Sequence, residues 1–382
     1  MTDTERRTAE PDDTPSGPGD AAVSHRRWPA RLAAAAIVVG VAALVASMVV
    51  RVPWYVLAPG SSRPTEPLIS ISGAPSFDND GAVEFLTVSE RQATPIELFA
   101  AWLNPALDVR SEEQLHGKQT PNENRTINLA MMAESKDAAT YQALRRMGYE
   151  IGVDGRGAVV ASVVQGAPAD GVLSVGDVVT AIDGTPIALS SQLVQAVGAH
   201  RPGDVLSFTI HHVDDSGDSA PADAAPPGER VVSVTLGART DDPTKGFLGV
   251  STFTLGLTFH FPVEVTIESG AVGGPSAGLA FTLGILDRLT PASITGGLAV
   301  ATTGTISLDG TVGPIGGIEQ KVRAAQRQGV QLMLVPASQL DDALAVADGL
   351  DIEGVTTLDD ALALLARRGG GDLVLPPAPS RS

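Results

Sequence analysis

The chain has 382 residues, 43% of them hydrophobic and 18% charged, which is enough for two or three folded units with cores of their own. It contains no cysteine, which excludes disulfides, thiolate metal sites and cysteine nucleophiles. The formal net charge of −18 opposes binding to nucleic acid and to anionic lipid headgroups, so we expect neither as a partner.

The first predicted element is an uncharged run of 19 residues from Leu32 to Val50, long enough to cross the hydrocarbon core of a bilayer. Arg26, Arg27 and Arg31 precede it and only Arg51 follows, so the positive-inside bias predicts a cytoplasmic N-terminus and an extracytoplasmic remainder. The alternatives are a cleaved signal peptide and a buried core helix. The run is longer than a typical signal h-region and lacks a convincing A-x-A cleavage site, which favours a retained anchor.

Residues 57–145 combine short apolar runs with a polar stretch and a helical pattern, and no chemical motif is visible in them. Residues 147–239 are instead rich in short β-type runs around one helical segment, Gln192 to Ala199, which Ser190 and Ser191 are expected to cap. The insert from Asp214 to Glu229 is predicted to be a flexible hairpin tip.

Two runs within this β-rich region, Gly166 to Ala169 and Leu173 to Ile187, resemble the signature of bacterial PDZ domains. The alternative is another small β-domain that uses the same Asp-Gly hairpin turn. The resemblance implies capture of peptides by strand addition, in a groove between a sheet edge and the helix. By position, the loop that opens this groove would comprise Tyr149, Glu150, Ile151 and Gly152.

The most informative motif is Gly274-Pro275-Ser276-Ala277-Gly278. Pro275 suits the first position of a helix, so we predict a helix from there to Leu289 with Ser276 in its first turn. Free backbone N–H groups converge at such a position and can stabilise an oxyanion. We therefore expect the backbone of Gly273, Gly274 and Pro275 to face the oxyanion and the substrate chain.

A lysine follows 45 residues later on a second predicted helix. Lys321 shares an apolar face with Ile318, Val322 and Ala325, whereas Gln320, Arg323 and Arg327 are expected to point the other way. Only four of the 26 basic residues are lysine, and arginine would snorkel equally well but could not lose its proton. Because burial lowers the pKa of a lysine, this pattern favours a general base over a snorkelling side chain.

These motifs, together with Thr303 to Ile306 and Gly310 to Gly317, resemble the proteolytic domain of the Lon family over about residues 245–366. The whole chain resembles the bacterial membrane-anchored PDZ-containing Lon-like proteases. The resemblance implies that Ser276 is the nucleophile, that Lys321 is the general base and that Thr303 orients the lysine amine. It also implies a homo-hexamer.

Two departures from the family pattern bear on function. Gly273 stands where many Lon enzymes have an acidic residue. No G-x-x-x-x-G-K-[ST] phosphate loop occurs, so ATP-driven unfolding within this chain is not expected.

Three other functions fit parts of the sequence. A Ser-His-Asp esterase needs a histidine after the serine, and all six histidines precede Ser276. The C-terminal processing proteases also join a PDZ domain to a Ser-Lys dyad, but the Gly-Pro-Ser-Ala-Gly context favours Lon. The third function is non-enzymatic, a membrane-tethered PDZ binding scaffold with a decayed protease fold.

The predicted fold class is therefore a multidomain α+β and α/β protein with a transmembrane helix, a PDZ β-domain and a Lon-type α/β proteolytic domain. We expect a serine endopeptidase of the cell membrane that acts on extracytoplasmic proteins or peptides and needs no cofactor or metal. The expected segments are a disordered cytoplasmic tail (1–31), the transmembrane helix (32–50), a region associated with the protease (57–145), the PDZ domain (147–239), the proteolytic domain (245–366) and a disordered tail (367–382).

Overall fold

The computed structural model describes residues 28–104, 106–116, 120–212, 228–239 and 242–374. The disorder expected for nearly all of 1–31 and for residues 375–382, and the flexible tip expected for nearly all of 214–229, fall outside these ranges. The helices are α1 Trp28–Val49, α2 Pro95–Trp102, α3 Glu112–His116, α4 Pro121–Arg146, α5 Ser190–Ala199, α6 Gly278–Leu289, α7 Ile318–Gln328, α8 Leu340–Leu344 and α9 Leu358–Arg367.

The strands alternate with these helices along the chain. They are β1 Trp54–Pro64, β2 Ile69–Ser72, β3 Ala82–Gln92, β4 Asp108–Ser111, β5 Gly152–Asp154, β6 Ala158–Val163, β7 Asp177–Ile182, β8 Thr185–Pro186, β9 Val205–His212, β10 Arg230–Thr235, β11 Gly237–Ala238, β12 Gly246–Phe247, β13 Val250–Thr254, β14 Thr258–His260, β15 Glu264–Ile267, β16 Ala299–Thr302, β17 Thr305–Ile306, β18 Val312–Gly313, β19 Leu332–Pro336 and β20 Asp351–Val355.

Helix α1 carries the apolar run near the N-terminus. Its mean hydropathy is 2.6 over Leu32–Val49, and it is the one helix in the described part of the chain that is long and apolar enough to cross a membrane. The side chains from Leu32 to Val49 lie outside any core, which excludes the buried-helix alternative. Length and composition alone fit a membrane anchor and a signal sequence equally.

Two helices of the N-terminal region begin with the same four-residue pattern, Thr-Pro-x-Glu. Thr94 precedes α2 and Thr120 precedes α4, and each threonine side chain accepts a hydrogen bond from the backbone N–H of the glutamate three residues later. Glu97 and Glu123 accept in return from the threonine N–H groups at 2.9 and 2.8 Å. These capping boxes satisfy N–H groups that a helix end would otherwise leave unpaired.

The N-terminal region and the C-terminal part of the chain build one sheet. Its strand order is β20-β19-β16-β3-β1-β4, so β1, β3 and β4 from residues 54–111 continue a sheet whose other strands come from residues 299–355. Strands β20, β19, β16 and β3 run parallel to one another. Strand β1 is antiparallel to both β3 and β4. The proteolytic unit is therefore discontinuous in sequence.

Both faces of this sheet are covered, as expected for parallel strands. Along β19, Leu332 and Leu334 enter the core that contains α6, whereas Met333 and Val335 enter the core that contains α7. The alternation follows from the two-residue period of a strand. Helix α4 packs beside α6 on the first face.

The described chain continues past α9, where a disordered tail was expected from residue 367. Gly370 donates a backbone hydrogen bond to Leu365 O at 2.9 Å, and Gly371 donates one to Ser293 O at 2.8 Å. Leu373 packs against the core of the first face. Residues 368–374 are thus part of the proteolytic unit.

The second sheet is inserted between α4 and the rest of the proteolytic unit. Its order is β10-β9-β7-β6-β13, with β8 on β7, and α5 covers its core of Phe208, Ile210 and Leu193. Strand β13 lies beyond the predicted boundary at 239, within the segment assigned to the protease. The hydrogen bonds between β13 and β6 join residues about 90 positions apart, which a local pattern cannot show. The helix also differs from expectation, because it begins at Ser190, and the Ser190 hydroxyl contacts Thr254 Oγ1 at 3.1 Å.

Candidate active site

The turn that carries Ser276 precedes helix α6. The helix begins at Gly278 and not at Pro275, so the predicted helix start is wrong by three residues. Gly278 N–H donates to Pro275 O at 3.3 Å, and Ala277 has a non-helical ψ of 3°. A side chain at Gly278 would meet Ile306 and the Ser135 hydroxyl at 2.9 Å, so only glycine allows this close approach.

Residues distant in sequence hold this turn. Gly274, with a φ of +86°, donates its N–H to Asn128 O at 2.7 Å, and the Ser135 hydroxyl donates to Pro275 O at 3.0 Å. Both partners lie on α4, in the region where the sequence shows no chemical motif. The turn is thus fixed by α4 on one side, and its geometry does not depend on local propensity alone.

Lys321 lies on α7 with only 2% of its surface exposed. Ile318, Val322 and Ala325 are buried with it, as the apolar stripe predicts. Gln320 was expected to point outward but is only 4% exposed, because α7 contacts both the sheet and its covering helix α8. Arg327 is exposed as expected.

Three functional groups meet at the end of this lysine. Its Nζ lies 2.7 Å from Ser276 Oγ and 2.9 Å from the fully buried Thr303 Oγ1. Burial lowers the pKa of Lys321 from 10.5 to about 7, and no carboxylate of the described residues contributes to that shift. A substantial fraction of neutral amine is therefore present at neutral pH, within proton-transfer distance of the serine.

The hydroxyl of Thr303 sets the direction of these hydrogen bonds. It donates to Ser276 O at 3.1 Å, so it accepts from Lys321 Nζ. Gly304 N–H donates to the same carbonyl at 3.1 Å and fixes its position. A neutral amine that donates to Thr303 keeps its lone pair available for the Ser276 proton.

The Ser276 turn opens into a cleft of about 680 Å³. One wall contains Gly273, Gly274 and Pro275, so these predicted residues do line the space available to a substrate. The rest of the lining comes largely from the N-terminal region, and includes Arg63, Phe85, Thr87, Glu90, Arg125, Asn128, Leu129 and Met132. Sequence reasoning missed this part of the lining because its residue types are ordinary and are spread over strands and a helix.

The predicted oxyanion donors need correction. Pro275 has no N–H group, and the N–H of Gly274 is already bound to Asn128 O. Among the residues that the structure describes, the N–H groups of Ser276 and Ala277 have no acceptor. Both groups lie in the turn that carries the serine hydroxyl, and the N–H of Gly273, the remaining predicted donor, has no described acceptor either.

Tyr149 to Gly152 do not lie at the groove of the inserted β-domain, contrary to expectation. Tyr149 and Ile151 pack against the core of the proteolytic unit, and Gly152 begins β5, which pairs with β14. The groove of about 400 Å³ instead runs between α5 and the segment 246–252 and includes Leu193, Val197, Phe247 and Val250. One side of the groove is formed by residues 246–252, which follow β10 in the chain. The position of the groove therefore could not be assigned from the order of residues along the sequence.

Comparison with known proteins decides between the alternatives for these units. The Lon protease (S16) C-terminal proteolytic domain family matches residues 256–367, and the PDZ domain family matches residues 134–220. The chain contains a Lon-type proteolytic domain and a PDZ domain. The resemblance of these two units to a Lon proteolytic domain and to a PDZ domain, inferred from the motifs, is thereby confirmed.

Several curated relatives share the Lon-type region. Lon protease 1 of Sorangium cellulosum is 40% identical over 111 residues, which are 28% of this chain and 13% of the relative. Lon protease 2 of Bacillus subtilis is 33% identical over 115 residues, 30% of this chain and 20% of the relative. The matched parts are thus a small fraction of these relatives' length.

A relative of another kind is a probable periplasmic serine endoprotease DegP-like of Pseudomonas fulva. It is 30% identical over 195 residues, 46% of this chain and 38% of the relative. Among solved structures, the PDZ domain of an SdrC-like protein from Listeria monocytogenes is similar to part of this chain. The match covers 25% of this chain and 87% of the solved one, with 22% identity and a TM-score of 0.20.

Proposed function

We propose that this chain is a membrane-anchored, ATP-independent serine endopeptidase in which Ser276 is the nucleophile and Lys321 is the general base. The observation that carries the proposal is the 2.7 Å separation of Lys321 Nζ and Ser276 Oγ, with a lysine pKa lowered by burial to about 7. The cleft beside them is large enough to admit an extended peptide.

The reaction is acyl transfer in two halves. Neutral Lys321 accepts the Ser276 proton as Oγ attacks the peptide carbonyl carbon. The resulting ammonium gives its proton to the leaving nitrogen as the C–N bond breaks, which leaves an ester on Ser276. Lys321 then takes a proton from water as that water attacks the ester, and it returns the proton to Oγ when the carboxylate product leaves.

Two further groups support this reaction. The N–H groups of Ser276 and Ala277 are the proposed donors to the oxyanion, since no described residue accepts from them. Thr303 is a positioning residue, because its hydrogen bonds to Ser276 O and to Lys321 Nζ hold the amine toward Oγ.

The PDZ domain gives the proposed enzyme a second contact with its substrates. Strand β13 is an edge of its sheet, and the groove between β13 and α5 has the form required for strand addition of a peptide. Helix α1 would anchor both domains at the membrane. An extracytoplasmic location is supported by the arginine asymmetry around α1.

Cleavage of an unstructured protein tests the proposal. The full chain, purified in detergent, should degrade β-casein to peptides without nucleotide, and ATP should not raise the rate, since no phosphate loop was found. Mass spectrometry of the products gives the rate and the cleaved bonds. Binding of casein without any cleavage would favour the scaffold alternative, and cleavage only with ATP would contradict the energy-independent mechanism.

The rate of cleavage should rise with pH through about 7. The pKa of Lys321 is lowered, so the inactive ammonium form prevails below about 7 and the active amine above it. On the acid side kcat/KM should increase about tenfold per pH unit and then level off. Peptide cleavage between about pH 5 and 9 measures this. A profile that falls across neutral pH would contradict a neutral lysine base.

A further inference from the structure

The exposed face of α2 is apolar. Pro95, Phe99, Trp102 and Leu103 have i, i+4, i+7 and i+8 spacing, so they form one stripe, which we call the α2 stripe. Trp102 is 78% exposed, Leu103 63% and Phe99 61%. The rings of Phe99 and Trp102 lie 6.1 Å apart, centroid to centroid. Two adjacent aromatic side chains in water are characteristic of a surface that contacts another phase or molecule.

The other face of α2 already has its own partners. Leu98 and Ala101 pack with Val56, Ala93 and Val109 in a small core at the end of the sheet. The capping box at Thr94 fixes the start of the helix. The α2 stripe therefore cannot turn inward to bury itself without breaking this core.

The position of α2 relative to α1 identifies what covers the stripe. Helix α2 contacts α1, and Arg51, two residues after α1 ends, donates to Gln92 O at 2.6 Å and contacts Glu97 at 3.3 Å. Arg91 also pairs with Glu97, at 2.7 Å. These contacts hold the first turn of α2 at the exit of the apolar helix. If α1 spans a bilayer, α2 lies at the surface of that bilayer.

We propose that the α2 stripe inserts into the interfacial region of the bilayer that holds α1, and so fixes the proteolytic domain against the membrane. This rests on the membrane anchoring in the proposed function. Tryptophan and phenylalanine on a short amphipathic helix are the residues that favour the boundary between headgroups and acyl chains. Insertion by an apolar stripe needs no anionic lipid, in keeping with the net charge of −18.

Fluorescence quenching by brominated lipids tests the contact, because the chain has only three tryptophans. In a variant with Trp28→Phe and Trp54→Phe, Trp102 is the sole tryptophan. The variant is reconstituted into phosphatidylcholine vesicles with bromine either near the top or near the end of the acyl chains. We expect Trp102 emission to fall roughly twofold with the shallow bromine and less with the deep one.

The control places a tryptophan on an exposed site of the inserted PDZ sheet. Phe253, on β13, is 53% exposed, so a chain with Phe253→Trp and all three native tryptophans changed to phenylalanine should not be quenched by either lipid. Recovery of the protein with floated vesicles after an alkaline wash reports anchoring by α1 separately. If the protein floats with the vesicles but Trp102 is not quenched, the docking proposal alone is overturned. If the protein does not float with the vesicles, the anchor and the docking are overturned together. Protection of Trp102 from both bromine and an aqueous quencher would show a contact between copies instead and would also overturn the proposal.

Discussion

Replacing Ser276 by alanine should lower peptide cleavage by at least about 10³-fold, because the acyl-enzyme can no longer form. The Ser276 side chain is half-buried at the cleft, and its Oγ is hydrogen-bonded to Lys321 Nζ. Because alanine removes only this oxygen, the fold should stay intact. The rate of β-casein or peptide cleavage by the full chain measures the effect.

The matched control for this variant is Ser70→Ala. Ser70 is exposed on β2, in the same domain, and should be replaceable without loss of rate. Substantial cleavage by the Ser276→Ala variant would mean that another group attacks the carbonyl. Equal loss in both variants would point to damage of the fold and not to the chemistry.

Lys321→Arg should be as inactive as Lys321→Ala, with a loss of about 10³-fold or more in kcat. The guanidinium keeps its charge but cannot give up a proton at neutral pH, so it cannot serve as a general base. Single-turnover cleavage of a peptide compares the variants. The control is Lys245→Arg, an exposed residue whose ion pair with Asp242 at 3.6 Å an arginine can retain.

A third lysine variant separates loss of the base from loss of the fold. In Lys321→Met the buried ionisable group is gone. A folded pKa of about 7 against 10.5 unfolded means that the charged form destabilises the folded protein. This penalty is full below pH about 7 and disappears as the pH rises toward 10.5, so the methionine variant should melt at a higher temperature than the native chain near pH 6. Activity retained by either the arginine or the methionine variant would rule out the lysine as base.

The residues proposed to carry the chemistry were visible in the sequence because their signals are local. A serine in a Gly-Pro-Ser-Ala-Gly turn and a single lysine on an apolar helical stripe are each readable within a few residues. The apolar run before Arg51 is local in the same sense.

The sequence-based predictions were wrong at positions whose structure depends on residues far away in the chain. Pro275 suggested a helix start, yet the close contacts of Gly278 with Ile306 and Ser135 delay it. Gln320 was expected outside, but the packing around α7 buries it. The PDZ groove was assigned to residues near 150 because strand β13, which borders it, returns about 100 residues later.

By itself the sequence determined which domains are present, which residue types could do the chemistry and where an apolar helix lies, since each follows from a short motif or a short period. Only the tertiary structure decided that residues 54–111 complete the proteolytic sheet, that α4 holds the Ser276 turn and that Thr303 and Lys321 meet the serine. The physical reason is that hydrogen bonds and burial act between atoms close in space, and the 2% exposure that lowers the pKa of Lys321 is created by segments far apart in the chain.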